Sequence, residues 1–333
     1  MVGSFFIFLD FGQKMEVLFR SKTDISCPVI TRIIVVQCNH KTLLGEFESM
    51  KKPNIINFHI TDACNYSCRY CFADFKMKDL PFGDAKKVID SIDTYFRENE
   101  IENGRINIAG GEPLMYRRLD DIIDYIAEKN IKISIITNGA LLTEERIAAW
   151  SGKVAMIGIS IDAINADADI HIGRCDALKN TNDLEHLIRM AKAIHKAGIK
   201  LKINTVVSKA NLDEDMLSVY EALKPDRLKL IYIHVVHNVN EWPETMELVP
   251  TVGEYNEFVE KNRYEKNCEL VLERPMEMQN SYFMINPHGE VYINAFGLEK
   301  KYGNSIYEPL SEIFSRLPFD MKKFDLRYED EEV

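Results

Sequence analysis

The sequence is poor in the features that define several large classes of protein. Its 333 residues include only 7 Cys, an odd number that is too small for a disulfide scaffold in a chain of this length. It has no apolar run near the ~20 residues of a membrane-spanning helix, and no basic segment precedes its first apolar stretch. With 16 Gly and 11 Pro, it also lacks the composition of collagen-like and low-complexity chains. We therefore expect a cytoplasmic protein with reduced thiols and no membrane attachment.

Basic residues are also in the minority. The chain has 41 Lys and Arg against 52 Asp and Glu, and its net charge of −11 argues against direct nucleic-acid binding. If it binds a phosphorylated ligand, its positive charge must be concentrated in one place. Hydrophobic residues make up 46% of the chain, which is enough for a sizeable core.

Apolar strands and amphipathic helices alternate from residue 51 onward. Because the strands are apolar throughout, we expect a parallel sheet that is covered by helices. Six βα units predict an α/β fold, a partial (β/α)6 barrel with functional residues at the carboxyl ends of its strands. The six strands are predicted at 55–61, 106–109, 131–136, 154–161, 200–207 and 227–235.

The same pattern divides the chain into three predicted parts. Residues 1–50 form an N-terminal extension with no clear period, which we expect to be dispensable. Residues 51–236 form the barrel core. Residues 237–333 form a C-terminal extension over the active site, with a hairpin that turns at 288–289 and a frayed acidic tail from residue 328.

A loop after the first barrel strand carries the pattern C-x3-C-x2-C, formed by Cys64, Cys68 and Cys71. Three thiolates at this spacing can bind one face of an iron–sulfur cube and leave one iron open to a small molecule. The alternative is a structural zinc site, for which a fourth ligand must come from elsewhere. The candidates for that ligand are His59, Cys38 and Cys175.

A second motif, Gly110-Gly111-Glu112-Pro113, ends the second predicted strand. Glycines there allow close backbone approach, and a carboxylate can accept an ammonium group. Together the two motifs resemble the radical S-adenosylmethionine (SAM) superfamily, and within it the chain is similar to the viperin family over about residues 56–324. The matching stretches are Asn57 to Phe72, Asn107 to Pro113, Ser134 to Gly139, Ile172 to Arg174, Lys202 to Asn204, Arg227 to Lys229 and Ser281-Tyr282.

This resemblance implies an enzyme of antiviral defence. Viperin-like enzymes convert a ribonucleoside triphosphate to its 3′-deoxy-3′,4′-didehydro analogue, a terminator of viral RNA chains, so the implied activity is that of a nucleoside triphosphate dehydratase (a lyase). CTP, GTP and UTP are all open as substrates. The implied partner is an external electron donor, such as a flavodoxin-type reductase system. The chain itself is expected to be a monomer.

The resemblance also implies two cofactors. The three motif cysteines would hold a [4Fe–4S] cluster, and SAM would bind at its open iron. The family pattern assigns SAM binding to Gly110, Gly111, Glu112, Asn138, Ser160 and Arg174.

Two neighbouring predicted strands carry polar residues at alternate positions, K-I-N at 202–204 and R-L-K at 227–229, so each pair shares a face. A lysine or arginine inside an apolar barrel is costly unless an anion meets it. These positions therefore predict a polyphosphate site, with an exposed sheet edge as the alternative. The substrate-binding candidates are Asn57, Lys76, Lys202, Asn204, Arg227 and Lys229.

The implied reaction also needs one electron and one proton, and the family pattern gives their donor as Tyr282. The alternative for Tyr282 is a hairpin tyrosine that only packs on the barrel. A different radical SAM enzyme, such as a peptide maturase or another nucleotide-modifying enzyme, remains a rival function. A maturase would usually carry a second cysteine cluster near the C-terminus, where Cys268 stands alone. A non-catalytic zinc protein would need neither G-G-E-P nor inward cations.

Overall fold

The fold is that of a computed structural model, which describes residues 6–11, 14–19, 51–71, 79–237, 239–295 and 298–328. The chain divides into two units, Met1–Lys51 and Lys52–Val333. In the first unit, strand β1 (Phe6–Phe11) pairs with β2 (Lys14–Phe19) in antiparallel fashion.

The second unit is built on a sheet whose central six strands run parallel and lie side by side in chain order. This arrangement confirms the predicted partial barrel, and the predicted strand ends are correct to within three residues. These strands are β3 (Ile55–His59), β4 (Arg105–Ala109), β5 (Lys132–Thr137), β6 (Val154–Ser160), β7 (Lys200–Val207) and β8 (Arg227–Tyr232).

Helices between these strands cover the sheet. In the first of them, Val88, Ile89, Ile92 and Phe96 are buried, as the 3.6-residue period predicts. None of the helices in the described residues is both long enough and apolar enough to cross a membrane. The helices are α1 (Phe82–Glu98), α2 (Leu119–Ala127), α3 (Glu144–Ala149), α4 (Ala166–Ile172), α5 (Leu184–Lys196) and α6 (Met216–Leu223), with a 3-10 turn at Pro113–Met115.

The C-terminal part extends the sheet at both edges. Strand β9 (Glu269–Glu273) pairs with β8, and β10 (Met284–Ile285) pairs with β3, both in parallel. The predicted hairpin then adds β11 (Glu290–Ala295), and β12 (Leu298–Asn304) pairs with it in antiparallel fashion. The sequence reading missed β9 and β12.

Five further helices follow β8 in the described part of the chain. The last of them reaches residue 328, so the prediction of a frayed tail is wrong there, and residues 329–333 lie outside the described residues. The helices are α7 (Pro243–Met246), α8 (Val252–Lys261), α9 (Pro275–Met278), α10 (Leu310–Ser315) and α11 (Met321–Tyr328).

Candidate active site

The cysteine loop follows β3 and is held from two sides by backbone hydrogen bonds. On one side, the amides of Gly111 and Glu112 donate to the carbonyls of Thr61 and Ala63, both at 2.7 Å. On the other side, the amide of Ser67 donates to the Gly173 carbonyl at 3.2 Å, and the Arg69 amide donates to the Ile172 carbonyl at 2.9 Å. The G-G-E-P and I-G-R motifs therefore fix the position of the cysteine loop.

Two glycines allow this close approach. Gly110 and Gly173 have φ angles of 144° and 87°, in the region that favours glycine. A Cβ at Gly173 would lie 2.4 Å from the carbonyl oxygen of Ser67, and one at Gly110 would lie 2.4 Å from that of Thr61. Any side chain at either position would displace the loop that carries the cysteines.

The three motif cysteines are half-buried. Burial raises the pKa of the Cys64 and Cys68 thiols, whereas the nearby Arg174 charge favours their thiolates. In the described residues, no three His, Cys, Asp or Glu side chains are arranged to hold a single metal ion. A cluster needs ligands that are further apart, because each thiolate binds its own iron. Three thiolates from one loop are a soft donor set that suits an iron–sulfur cube.

The Glu112 side chain forms hydrogen bonds within the protein, at the ends of β4 and β5. Its carboxylate is fully buried and accepts hydrogen bonds from the Leu114 amide at 3.0 Å and from the Thr137 hydroxyl and Asn138 amide at 2.7 Å. The Asn138 side chain in turn donates to Asn65, beside the first motif cysteine, at 2.7 Å. These contacts tie the end of β4 to the end of β5, so both side chains are already engaged by protein groups.

Arg174 lies at the centre of a second buried network. Its guanidinium donates to the backbone carbonyl of Ser160 at 2.6 Å and lies 3.3 Å from the Asp162 carboxylate. Asp162 is fully buried and also accepts from the Val206 amide at 2.8 Å and from the Tyr70 hydroxyl. The sequence analysis did not name Asp162, although it stands two residues after Ser160 at the end of β6.

A cavity of about 350 Å³ opens beside the cysteine loop and extends into the barrel. Its volume is in the range of ligand pockets. Near the carboxyl ends of the strands it is lined by Cys71 and Gly110, and deeper by the third residues of β7 and β8. It brings together nine of the predicted site residues: Asn57, Cys71, Gly110, Ser160, Arg174, Lys202, Asn204, Lys229 and Tyr282.

Lys202 is a buried lysine that forms no salt bridge within the described residues. Its side chain is only 8% exposed, and its ammonium has no hydrogen-bond or ion-pair partner in the described part of the chain. Burial lowers the pKa of Lys202 well below its ordinary value, and the charges of Lys229 and Arg227 add to this. The side-chain oxygen of Asn204, two residues along the strand, is also buried without a partner. Such groups fit a site for a polar, anionic ligand.

Lys229 and Tyr282 share a single carboxylate, Glu273, the last residue of β9. The Lys229 ammonium donates to Glu273 at 2.7 Å and to the Tyr282 hydroxyl at 3.1 Å. Burial lowers the pKa of Lys229 to about 8. Burial would raise the pKa of Glu273, but Lys229 and Arg327 hold it at about 2, so this carboxylate is ionised at neutral pH.

Other predicted site residues do not line the cavity in the described residues. Arg227 is 1% exposed, because its guanidinium turns towards Glu269 at 3.1 Å and towards the Arg327 carbonyl at 2.6 Å. Lys76 lies outside the described residues. The predicted site residues that are not part of this lining are Cys64, Cys68, Gly111, Glu112, Asn138 and Arg227.

The cavity wall also contains the polar residues His59, His234, Tyr292 and Asn294. Burial lowers the pKa of His59 to about 4, and its Nδ1 lies 3.0 Å from the Tyr292 hydroxyl. His234 Nδ1 and Asn294 Oδ1 are buried and have no hydrogen-bond partner among the described residues. No sequence motif includes these positions. His234 falls within the strand predicted at 227–235, although the observed strand β8 ends at Tyr232.

Comparisons with known proteins agree with this geometry. The model of the radical SAM superfamily matches residues 58–223. A Selenomonas ruminantium protein called S-adenosylmethionine-dependent nucleotide dehydratase is 31% identical over 82% of this chain and 98% of that protein. A protein of the same name from a Thermoplasmatales archaeon is 32% identical over 77% of this chain and 88% of its own length.

Solved structures show the same fold. The crystal structure of Streptococcus suis SuiB bound to S-adenosylmethionine has a TM-score of 0.62 at 18% identity, over 86% of this chain and 70% of that one. Native anSMEcpe with bound AdoMet and a peptide has a TM-score of 0.61 at 17% identity, over 81% and 83%. With the fold, the cysteine loop and the sequence relatives in agreement, the chain belongs to the S-adenosylmethionine-dependent nucleotide dehydratases, the prokaryotic viperin-like family of the radical SAM superfamily.

Proposed function

We propose that the protein dehydrates a ribonucleoside triphosphate to its 3′-deoxy-3′,4′-didehydro analogue, an antiviral chain terminator. The observation that carries this proposal is the position of the Lys202 ammonium, which has no counter-ion in the described residues and faces the same cavity as Cys71. An anionic substrate held deep in the barrel by Lys202 and Lys229 would have its other end near the cysteine loop.

Two cofactors follow from the family and fit the residues present. Cys64, Cys68 and Cys71 would hold a [4Fe–4S] cluster, and Gly110, Ser160 and Arg174 line the cavity where SAM would bind. When bound and reduced by one electron, these cofactors supply a strong hydrogen-atom acceptor near the ribose. The cysteine loop and the end of β5 are kept in place by hydrogen bonds of Gly111, Glu112 and Asn138.

The remaining residues bind and orient the nucleotide. Lys202 and Lys229 bind the phosphates, with Asn204 on the same face and Asn57 across the cavity on β3. Arg227 acts through the charge that it adds behind Lys202, and Lys76 remains a candidate. The Arg174 guanidinium already forms an ion pair with Asp162 at 3.3 Å. To bind the SAM carboxylate, it must either break this ion pair or bind both carboxylates at once.

The test is an anaerobic assay of the reconstituted protein with SAM, a reductant and CTP, GTP or UTP in separate reactions, followed by mass spectrometry. We expect 5′-deoxyadenosine together with a triphosphate that has lost one water. Deoxyadenosine without an altered nucleotide would reject the substrate and favour another radical SAM reaction. No deoxyadenosine from protein with an intact cluster would contradict the whole proposal.

Tyr282 is the proposed donor in the last step. Loss of the 4′ hydrogen atom and the 3′ hydroxide leaves the sugar short of one electron and the hydroxide short of one proton, and the hydrogen atom of a tyrosine hydroxyl provides one of each. The tyrosyl radical that remains would take back one electron from the external donor and one proton from solvent before the next turnover. We expect Tyr282→Phe to keep 5′-deoxyadenosine formation and to lower the didehydro product roughly tenfold or more.

The matched control is Tyr255→Phe, which also removes a buried hydroxyl, one that donates to the Leu230 carbonyl at 2.9 Å. It should leave the ratio of didehydro product to 5′-deoxyadenosine unchanged. Wild-type product yield from Tyr282→Phe would rule out the donor role of Tyr282.

A further inference from the structure

Glu273 is the one carboxylate that lines the cavity in the described residues, and no motif of the sequence includes it. Its side chain is 2% exposed at the end of β9, the strand that extends the parallel sheet beyond β8. A buried negative charge beside cations that would bind phosphate weakens the binding of an anion there. Its place in this cavity therefore calls for a role other than substrate binding.

The contacts of Glu273 indicate that role. A single oxygen, Oε1, lies 2.7 Å from the Lys229 ammonium, 2.6 Å from Arg327 Nε and 2.5 Å from the Tyr282 hydroxyl, which donates to it. The other oxygen has no hydrogen bond in the described part of the chain. The Arg327 guanidinium also lies 4.0 Å from the centre of the Tyr282 ring. Glu273 thus holds the hydroxyl of the proposed donor directly, and its partner Arg327 lies against the ring.

We propose that Glu273 is a positioning residue, which orients the Tyr282 hydroxyl and holds the Lys229 ammonium until the triphosphate binds. The inference rests on the proposed function, since it assigns a partner to the donor of that reaction. When the phosphates take up Lys229, Arg327 keeps Glu273 ionised and in place. A tyrosine hydroxyl that donates to a carboxylate gives up its electron more readily, because the carboxylate stabilises the positive charge that develops on the hydroxyl hydrogen as the electron leaves.

The experiment compares Glu273→Gln and Glu273→Asp with the wild type at saturating nucleotide, in the cluster-loaded enzyme. The readout is the ratio of didehydro nucleotide to 5′-deoxyadenosine. A hydrogen bond to a charged group is worth about 1.5–3 kcal/mol, so we expect this ratio to fall roughly tenfold in both variants. A general structural defect would lower both products together and leave their ratio unchanged.

Two variants keep the test sharp. Glu273→Gln leaves two cations without a counter-ion, whereas Glu273→Asp keeps the charge and shortens the side chain, so it tests position even if the first variant folds poorly. The control is Glu290→Gln, which breaks an ion pair with Lys301 at 2.7 Å on the same sheet and should keep the wild-type ratio. Nucleotide affinity, measured by calorimetry, should fall by less than about threefold in Glu273→Asp.

The outcomes separate this inference from the function on which it rests. A wild-type enzyme that makes no didehydro product contradicts the proposed function. A wild type that makes it, with an unchanged ratio in folded Glu273→Asp, overturns only the role of Glu273. A lower ratio that is matched by Glu290→Gln would also overturn it.

Discussion

Replacing Cys68 with alanine is expected to reduce 5′-deoxyadenosine formation to background and to prevent iron loading. Three cysteines are the only thiolate ligands that the motif offers, and a cube that binds through two of them has a second open iron. Cys68 also lies against Gly173, which has a positive φ and where an added Cβ would come within 2.4 Å of the Ser67 carbonyl oxygen, so the loop has little space to rearrange. The measurements are cluster absorbance, iron content and the deoxyadenosine assay.

The control for this prediction is Cys268→Ala. Cys268 is half-buried beside β9, and its thiol lies 3.8 Å from its neighbour's carbonyl, so its removal should leave the cluster intact. Circular dichroism would show that both variants are folded. A full iron complement and normal activity in Cys68→Ala would contradict the assignment of the cluster to this loop.

The barrel could be predicted from the sequence because its strands and helices are specified by residues that are close together in the chain. Each of the six central strands is a short apolar run, and each helix between them carries an apolar face, so strand type and order follow from period and connection. The same alternation placed Lys202 and Asn204 on one face of β7, and the cavity contains both. The side of the sheet that a strand residue faces can be predicted from the two-residue repeat of a strand alone.

Residues whose role depends on distant parts of the chain were not readable in this way. Strand β9 is only five residues long and carries a glutamate at each end, so only three apolar residues mark it in the sequence. Glu273 becomes important only when β9 pairs with β8 and α11 brings Arg327 to it. Arg227 was predicted to face the barrel interior as a cation. It instead forms an ion pair with Glu269, the first residue of β9, a strand that was not predicted.

Glu112 shows a third limit of sequence reasoning. The motif identifies the residue but not which of its groups is used. The backbone amide of Glu112 supports the cysteine loop, while its carboxylate accepts three hydrogen bonds from the 3-10 turn and from the end of β5. Burial raises the pKa of Glu112 despite these donors. Its importance to the site is therefore compatible with a side chain that touches no ligand.

The change with the largest expected effect on substrate binding is Lys202→Met. Methionine keeps much of the length and apolar volume of the lysine but removes the buried ammonium that has no counter-ion in the described residues. Because a hydrogen bond to a charged group is worth about 1.5–3 kcal/mol, we expect the KM for the nucleotide to rise about 10- to 100-fold. The matched control is Lys200→Met, two residues away on the same strand but exposed to solvent, which should leave KM unchanged.

The pH dependence of nucleotide affinity gives the same prediction a second measurement. Burial lowers the pKa of Lys202 well below its ordinary value and that of Lys229 to about 8. As pH rises through 8, the free enzyme loses positive charge that an anion needs, so affinity should fall with increasing pH in this range. Binding of the anion raises both pKa values, and calorimetry should therefore detect proton uptake. Lys202→Met should reduce the number of protons taken up, and equal uptake in wild type and variant would place the phosphates elsewhere.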